Sequence, residues 1–391
     1  MGPIIILDKS TFQSLSRREH SFLDKHFLQN LTPILAMEIL GDLAKQPKKG
    51  KRSAEAQVAE ISRKFGGSGP ATNVDYLTLV FNCLADNPVP MEGRIIPESS
   101  RMVRAQDGSL GMIIDLSPFN RALLRWSRGE FSKFERELAK YWRQVTRSVS
   151  LDSFRDQLAA HRVILPQVDR QENLLPTVDD LLATATLQNV WLDWLLAQLS
   201  LPAPYEEAVK VLWRSRSGVL MSSFAPYAWH VLRVLLALVM ATRHKLVTWD
   251  PTNVLDVQYL YYLPFCMVFT SDDQLHRFLA PLLIRKDQSF VVGRELKADL
   301  RKLADERDRL NSQERAMIDF ALGSYPQPAR DSVVHKLWKK HLRPWRPGSG
   351  NLVTSLPTPE QERAVRWVEQ MFRDVEGNSY FEVGAKSTPA R

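Results

Sequence analysis

The chain has 391 residues, of which 44% are hydrophobic and 25% are charged, and its formal net charge is +8. A chain of this length and composition is expected to form a globular protein of two or three structural units with ample apolar material for a core. The positive charge is compatible with an anionic partner such as nucleic acid, but it does not bear on the fold.

Cys83 and Cys266 are the only cysteines. Two cysteines exclude a disulfide framework and a cysteine-based zinc site, and they favour the reducing cytoplasm. The amino-terminal apolar run is too short for a signal peptide and has no basic residues before it. Residues 227–247 are the most membrane-like stretch, but they include Arg233 and Arg243, and their apolar core is too short to span a bilayer. We therefore expect a buried helix there and no membrane association.

The first 75 residues carry the signals of an α/β protein. Residues 3–7 (PIIIL) form a β-branched apolar run that ends at Asp8 and predicts a buried strand. Residues 31–36 (LTPILA) predict a second short strand or a strand-to-helix junction, and Glu38 follows on a helix. Residues 48–75 are rich in Lys, Ser and Gly, which predicts a mobile loop or linker.

The middle and the end of the chain have mostly helical patterning. Residues 102–116 are an exception, because two apolar arms flank an Asp-Gly pair and so predict a β-hairpin. The patterning predicts helices over residues 119–160, 178–199, 226–245, about 294–322 and 359–375.

Residues 254–283 predict a helix, a short buried strand and a second helix. Asp256 opens the first helix, and Asp272 and Asp273 lie where the strand ends. A strand as apolar as this one is expected to be covered on both faces. Carboxylates at the carboxyl edge of a strand lie where open α/β sheets bind ligands and metals.

Four acidic positions share this setting, at or just after an apolar strand or at the start of a helix packed behind one. They are Asp8, Glu38, Asp256 and the Asp272-Asp273 pair. If the strands are parallel neighbours, these acids converge on one edge of the sheet, where their repulsion requires a cation. Oxygen ligands select Mg²⁺ or Mn²⁺, and such an ion activates water for attack on a phosphodiester. The alternative is that each acid only caps a helix.

In the order of these motifs the chain resembles the PIN-like nuclease family. Asp8 (IIILDKS) matches the first acid of the family pattern, Glu38 (TPILAMEIL) the second and Asp256 (DVQYLYYLPF) the third. The family's Thr/Ser-x-Asp signature fits FTSDDQLH in two registers, which end at Asp272 or at Asp273, and the second leaves His276 in the following helix. The resemblance covers roughly residues 3–46 and 222–290.

The resemblance implies a PIN-like three-layer α/β/α fold with a short central parallel sheet, interrupted by a mostly helical insertion. The chain then divides into a first PIN-like part, an inserted region, a second PIN-like part and a helical, basic carboxyl-terminal region, at residues 1–46, 47–221, 222–293 and 294–391. The insertion departs from the compact family pattern, and it is a candidate for substrate recognition, protein binding or restraint of the nuclease.

The expected function is therefore a metal-dependent ribonuclease or, less specifically, a phosphodiesterase that acts on nucleic acid, with RNA favoured over DNA and with Asp8, Glu38, Asp256 and Asp273 (or Asp272) holding Mg²⁺ or Mn²⁺. Further candidates to contact substrate are Lys9, Ser10, Ser271 and His276. Two basic clusters, at 48–52 and 339–346, either follow a phosphate backbone or are solvated. The rival hypothesis is a non-catalytic protein that uses the same scaffold to bind nucleic acid or a partner protein.

Overall fold

The computed structural model describes residues 2–46, 52–65, 70–104, 110–114, 116–148, 156, 158–216, 218–250, 252–314 and 332–342. Its strands in chain order are β1 (Ile4–Leu7), β2 (Leu28–Leu31), β3 (Ala71–Thr72), β4 (Ser100–Arg104), β5 (Leu110–Ile114), β6 (Val268–Ser271) and β7 (Ser289–Val292). Five of them form an all-parallel sheet in the order β3-β2-β1-β6-β7, while β4 and β5 pair antiparallel as the predicted hairpin.

The helices surround this sheet. In chain order they are α1 (Lys9–Ser14), α2 (Arg17–His26), α3 (Pro33–Gly41), α4 (Ala54–Ser62), α5 (Tyr76–Leu84), α6 (Pro118–Ser127), α7 (Lys133–Ser148), α8 (Gln171–Ala183), α9 (Gln188–Leu199), α10 (Ala203–Ser215), α11 (Met221–Phe224), α12 (Pro226–Arg243), α13 (Asn253–Leu260), α14 (Gln274–Leu283), α15 (Gly293–Asp308) and α16 (Val333–His341). Every residue of β1 and β6 is buried, which requires cover on both faces of the sheet. The fold is α/β, consistent with a three-layer α/β/α arrangement.

Several predicted elements are confirmed. The PIIIL run forms β1, the helix-strand-helix segment forms α13, β6 and α14, and the most apolar stretch forms α12. Most residues of α12 are buried, where the helix packs against α5 and α8. Within the described ranges, no helix combines the length and the apolar character needed to cross a membrane.

The prediction of a mobile loop over residues 48–75 is wrong for most of the described part of that range. Ser53 caps α4, and the buried side chains of Val58 and Ile61 lie one turn apart on its inner face. Ala71 and Thr72 form β3, which pairs with β2. The predicted insertion at 47–221 therefore supplies a strand to the sheet, and its buried apolar side chains join those of the sheet in one core cluster.

Two helix predictions differ from the structure in their length. The helix predicted at 178–199 is two helices, because the backbone of Thr184 is extended (φ −62°, ψ 114°) and ends α8. The long helix predicted to reach residue 322 ends at Asp308 as α15, and the described residues stop at 314 before resuming at 332. The helix predicted at 359–375, residues 48–51 and residues 343–346 lie outside the described part of the chain.

The strand order creates a topological switch point between β1 and β6. From β1 the chain continues to β2 and β3 on one side, whereas β6 continues to β7 on the other. The backbone amide of Asp8 donates to the carbonyl of Thr270 at 3.2 Å, so the carboxyl ends of β1 and β6 lie side by side. In open α/β sheets the crevice at such a point is the usual ligand site.

Candidate functional site

Asp8 is fixed at the switch point by three hydrogen bonds. It is the N-cap residue of α1, and its Oδ1 accepts from the backbone amide of Thr11 at 2.9 Å. Its Oδ2 accepts from the hydroxyls of Ser10 at 2.6 Å and Ser271 at 2.9 Å. Only 4% of Asp8 is exposed, so these bonds replace water around the buried carboxylate.

Asp272 and Asp273 follow β6, but they face different helices. Asp273 caps α14, where its Oδ1 accepts from the backbone amides of Leu275 at 2.8 Å and His276 at 3.2 Å. Asp272 accepts from the backbone amide of Arg294 at 3.0 Å, at the start of α15. Asp273 is also the charge that most strongly raises the pKa of Asp256, whereas Asp272 is not among the main contributors. The geometry therefore favours Asp273 over Asp272 as a member of the acidic site.

Glu38 lies in the middle of α3 and reaches the site from the other side of β1. Its Oε2 accepts a short hydrogen bond from the hydroxyl of Tyr259, whose ring is buried on α13. The ammonium of Lys9 donates to the backbone carbonyl of Glu38 at 2.7 Å. Burial raises the pKa of Glu38, as do the charges of Asp8 and Asp42, against the lowering effect of Lys9 and Tyr259.

Asp256 lies in the first turn of α13, and its carboxylate has no hydrogen-bond or ion-pair partner within the described residues. Burial raises the pKa of this carboxyl to about 8, with further contributions from Asp273, Glu38 and Asp8 in that order. The four predicted acids are therefore electrostatically coupled. An unpartnered, partly buried carboxylate surrounded by three others is the arrangement in which a bound cation would be most stabilising.

His276 is linked by hydrogen bonds to three of these acids: to Asp8 through Ser271, to the backbone carbonyl of Asp256 and, through its own amide, to Asp273. Its Nδ1 lies 2.8 Å from the hydroxyl of Ser271, and its Nε2 donates to the backbone carbonyl of Asp256 at 2.6 Å, since a carbonyl can only accept. The ring is fully buried between Tyr259 and Phe269. Both ring nitrogens thus have internal partners, so in this structure His276 positions Ser271 and the backbone of Asp256, and its contact with a substrate phosphate stays a prediction.

The other predicted contacts also have internal partners. Ser10 and Ser271 hold Asp8, as described above, and the Lys9 ammonium forms an ion pair with Asp42 at 2.7 Å. Burial lowers the pKa of Lys9, while Asp42 and Glu38 oppose that effect. Sequence reasoning missed Asp42, a buried acid that also pairs with Lys45 at 2.6 Å. Its spacing of four residues from Glu38 was the available signal, since i and i+4 share a helix face.

The donor set suits a hard cation, but its members stand apart. Within the described ranges, no three His, Cys, Asp or Glu side chains are grouped closely enough to hold a metal ion. Oxygen-only ligands are nevertheless those of Mg²⁺ and Mn²⁺. Glu38 Oε1, Asp273 Oδ2 and both oxygens of Asp256 have no partner among the described residues. The chemistry therefore fits such an ion, although binding would have to draw the carboxylates together.

The two basic clusters are only partly described. Arg52 pairs with Glu60, and Lys339, Lys340 and His341 form the last turn of α16. Trp338 is buried, and its indole nitrogen donates to the carbonyl of His26 at 2.9 Å, so it is a core residue and not a base-stacking one.

Gly293 is required where α15 approaches the site. A Cβ at this position would lie 2.4 Å from Thr11 Oγ1 and 2.8 Å from Asp272 Oδ2. We expect Gly293→Ala to lower the free energy of unfolding by about 1–3 kcal/mol, measured by urea denaturation, because overpacking forces a side chain or the helix to shift. Thr11 Oγ1 is buried without a hydrogen-bond partner, so Thr11→Ala should restore much of this loss in the double variant. A Gly293→Ala protein as stable as the wild type would contradict the packing described.

Compared with protein-family models, curated proteins and solved structures, the chain matches none of them.

Proposed function

We propose that this chain is a divalent-metal-dependent nuclease. RNA is the expected substrate, because the resemblance to PIN-like nucleases implies it. The observation that carries the proposal is the unpartnered carboxylate of Asp256, flanked by Asp273, Glu38 and Asp8 at the switch point of a parallel sheet. Both the position in the fold and the chemistry of the four side chains support a ligand site for a cation and a phosphate.

In this proposal Asp8, Glu38, Asp256 and Asp273 hold one or two Mg²⁺ or Mn²⁺ ions. Such an ion, when bound, supplies a nucleophilic water at neutral pH and neutralises charge on the phosphodiester. The chain's own contribution is orientation. Ser10 and the amide of Thr11 hold Asp8, and the caps of α1 and α14 fix Asp8 and Asp273 relative to the strands.

The supporting contacts leave particular oxygens free. Tyr259 occupies Glu38 Oε2 and leaves Oε1 without a partner, and the cap of α14 occupies Asp273 Oδ1 and leaves Oδ2. His276 holds the backbone of Asp256 through its carbonyl and leaves the carboxylate unbonded. The groups that hold these three side chains in place therefore do not occupy the oxygens that would bind a cation.

The test is cleavage of labelled single-stranded RNA and DNA by the full chain, with Mn²⁺ or Mg²⁺ and with excess EDTA, alongside calorimetric titration with Mn²⁺. We expect Mn²⁺ to bind and RNA to be cleaved only in the presence of the metal. Cleavage that persists in EDTA, or the absence of cleavage when Mn²⁺ is bound, would contradict the proposal of a metal-dependent nuclease.

A second candidate is a non-catalytic nucleic-acid-binding protein on the same scaffold. It is favoured by the absence, within the described ranges, of three acids grouped closely enough to hold a metal, and by the full engagement of Asp8 in internal hydrogen bonds. Mn²⁺ titration separates the two candidates. Absence of Mn²⁺ binding together with RNA binding that EDTA does not change would favour this second function.

A further inference from the structure

A pocket of about 270 Å³ opens beside the acidic site, between the end of α3, the second half of α7 and the start of α13. Its lining includes the acids Glu38 and Asp42, the bases Lys9, Lys45 and Arg143, and the side chain of Trp142. We propose that this pocket binds the nucleotide next to the cleaved phosphate of a single-stranded nucleic acid. The proposal rests on the nuclease function proposed above, and it assigns α7 to the substrate site.

The indole of Trp142 forms one wall of the pocket because α3 ends in a glycine. A Cβ on Gly41 would lie 3.1 Å from Trp142 Cδ1, so glycine lets the ring lie directly against the α3 backbone without a shift of a few tenths of an ångström. Trp142 remains partly exposed, and its indole N–H has no hydrogen-bond partner within the described residues. A partly exposed ring with a free donor is suited to stacking on a base and bonding to it.

Arg143 supplies the charge that a phosphate requires. Its guanidinium has no ion-pair or hydrogen-bond partner in the described part of the chain, unlike Lys9 and Lys45, which both pair with Asp42. Guanidinium groups bind phosphate oxygens through two parallel hydrogen bonds. The pocket therefore offers this guanidinium beside the acids Glu38 and Asp42, which suits a phosphate bound next to a cation.

The size and chemistry of the pocket select a single strand. A volume of about 270 Å³ accommodates one nucleotide and is far too small for a duplex. An aromatic wall can be used only by an unstacked base, as single strands provide. Thr146 and Thr252 also line the pocket, but their hydroxyls donate to the Arg143 carbonyl and to Asp250 Oδ1, so toward a nucleotide they can act only as acceptors.

The test is binding of a short fluorescent single-stranded RNA to the full chain in EDTA, followed by anisotropy, so that cleavage plays no part. We expect Arg143→Gln to weaken binding about tenfold. It should also reduce the magnitude of the slope of log K against log salt concentration by about 0.7, because one phosphate contact is lost. Trp142→Leu should weaken binding about tenfold, while Trp142→Phe retains most of it. Lys133→Gln is the matched control, because it removes a charge from the same helix about 15 Å away and should change neither quantity.

The outcomes separate this pocket from the proposed catalysis. Loss of binding in the Arg143 and Trp142 variants supports the pocket even if the wild type cleaves nothing. Metal-dependent cleavage by a wild type whose RNA affinity is unchanged by Arg143→Gln and Trp142→Leu would overturn the pocket and leave the nuclease standing. The melting temperature of each variant shows whether the substitution has destabilised the fold. If Trp142→Leu is destabilised, the RNA affinity of Arg143→Gln tests the pocket instead, because that substitution breaks no ion pair within the described residues.

Discussion

Replacing Asp256 by Asn is expected to lower the rate of metal-dependent RNA cleavage by about a thousandfold or more, since a lost metal ligand removes several kcal/mol of transition-state stabilisation. The same change should leave the fold intact. The Asp256 carboxylate makes no hydrogen bond within the described residues that Asn would break, and Asn has nearly the same shape. The measurement is single-turnover cleavage with saturating Mn²⁺, together with calorimetric Mn²⁺ affinity.

The neighbouring aspartates make this prediction specific. Asp273→Asn should behave like Asp256→Asn, whereas Asp272→Asn should retain most activity, because Asn can still cap α15 at Arg294. Asp193→Asn serves as a control, since Asp193 lies on α9 with only a loose ion pair to Lys210. Wild-type cleavage by Asp256→Asn, or equal losses in the Asp193 variant, would remove the acidic site from the mechanism.

The strands that position the site could be predicted, because their signal is local. The runs PIIIL and MVFTS are short, apolar and followed by acids, and both are strands of the parallel sheet. β3 could not be found in this way, since two residues flanked by a Gly-rich stretch carry no periodicity. Its place depends on pairing with β2, which is a long-range contact that no window of sequence records.

The acids of the site were predictable as a set, but their environment was not. Their order along the chain identified Asp8, Glu38 and Asp256, whereas the choice between Asp272 and Asp273 required knowing which helix each one caps. The role of Asp42 and the burial of His276 likewise depend on side chains from distant elements. Local patterns indicate which residue types are near a strand end, and tertiary packing decides which atoms remain free.

In the metal-free protein, Asp256 is expected to lower the free energy of unfolding by about 2 kcal/mol as the pH rises from about 6.5 to about 8.5, measured as the change in the difference between the wild type and Asp256→Asn. Burial, and then the charges of Asp273, Glu38 and Asp8, raise the pKa of Asp256 from 3.8 to about 8. Between these two values the folded state holds a proton that the unfolded chain has released. Stability therefore decreases with rising pH until the folded pKa has been passed.

The sign of the pH dependence distinguishes Asp256 from the buried histidines. Burial lowers the pKa values of His26, His230 and His341 from 6.5 to about 4, so these rings are neutral in the folded state. They stabilise the fold increasingly as the pH rises from about 4 through the unfolded value of 6.5, with the opposite sign to Asp256, and their slope fades only above about pH 7.5. The contribution of Asp256 is therefore isolated by comparing the wild type with Asp256→Asn, since both proteins carry the same histidines.

Urea unfolding in EDTA at a series of pH values measures this effect, with Asp256→Asn as the decisive variant. Asn cannot ionise, so the variant should lack the decline in stability that Asp256 causes, and it should be more stable than the wild type at the alkaline end. Saturating Mn²⁺ should flatten the wild-type curve as well, because a cation favours the ionised carboxylates. Parallel curves for the wild type and Asp256→Asn would mean that Asp256 is not held protonated by its neighbours, and the case for a crowded acidic site would lose its main support.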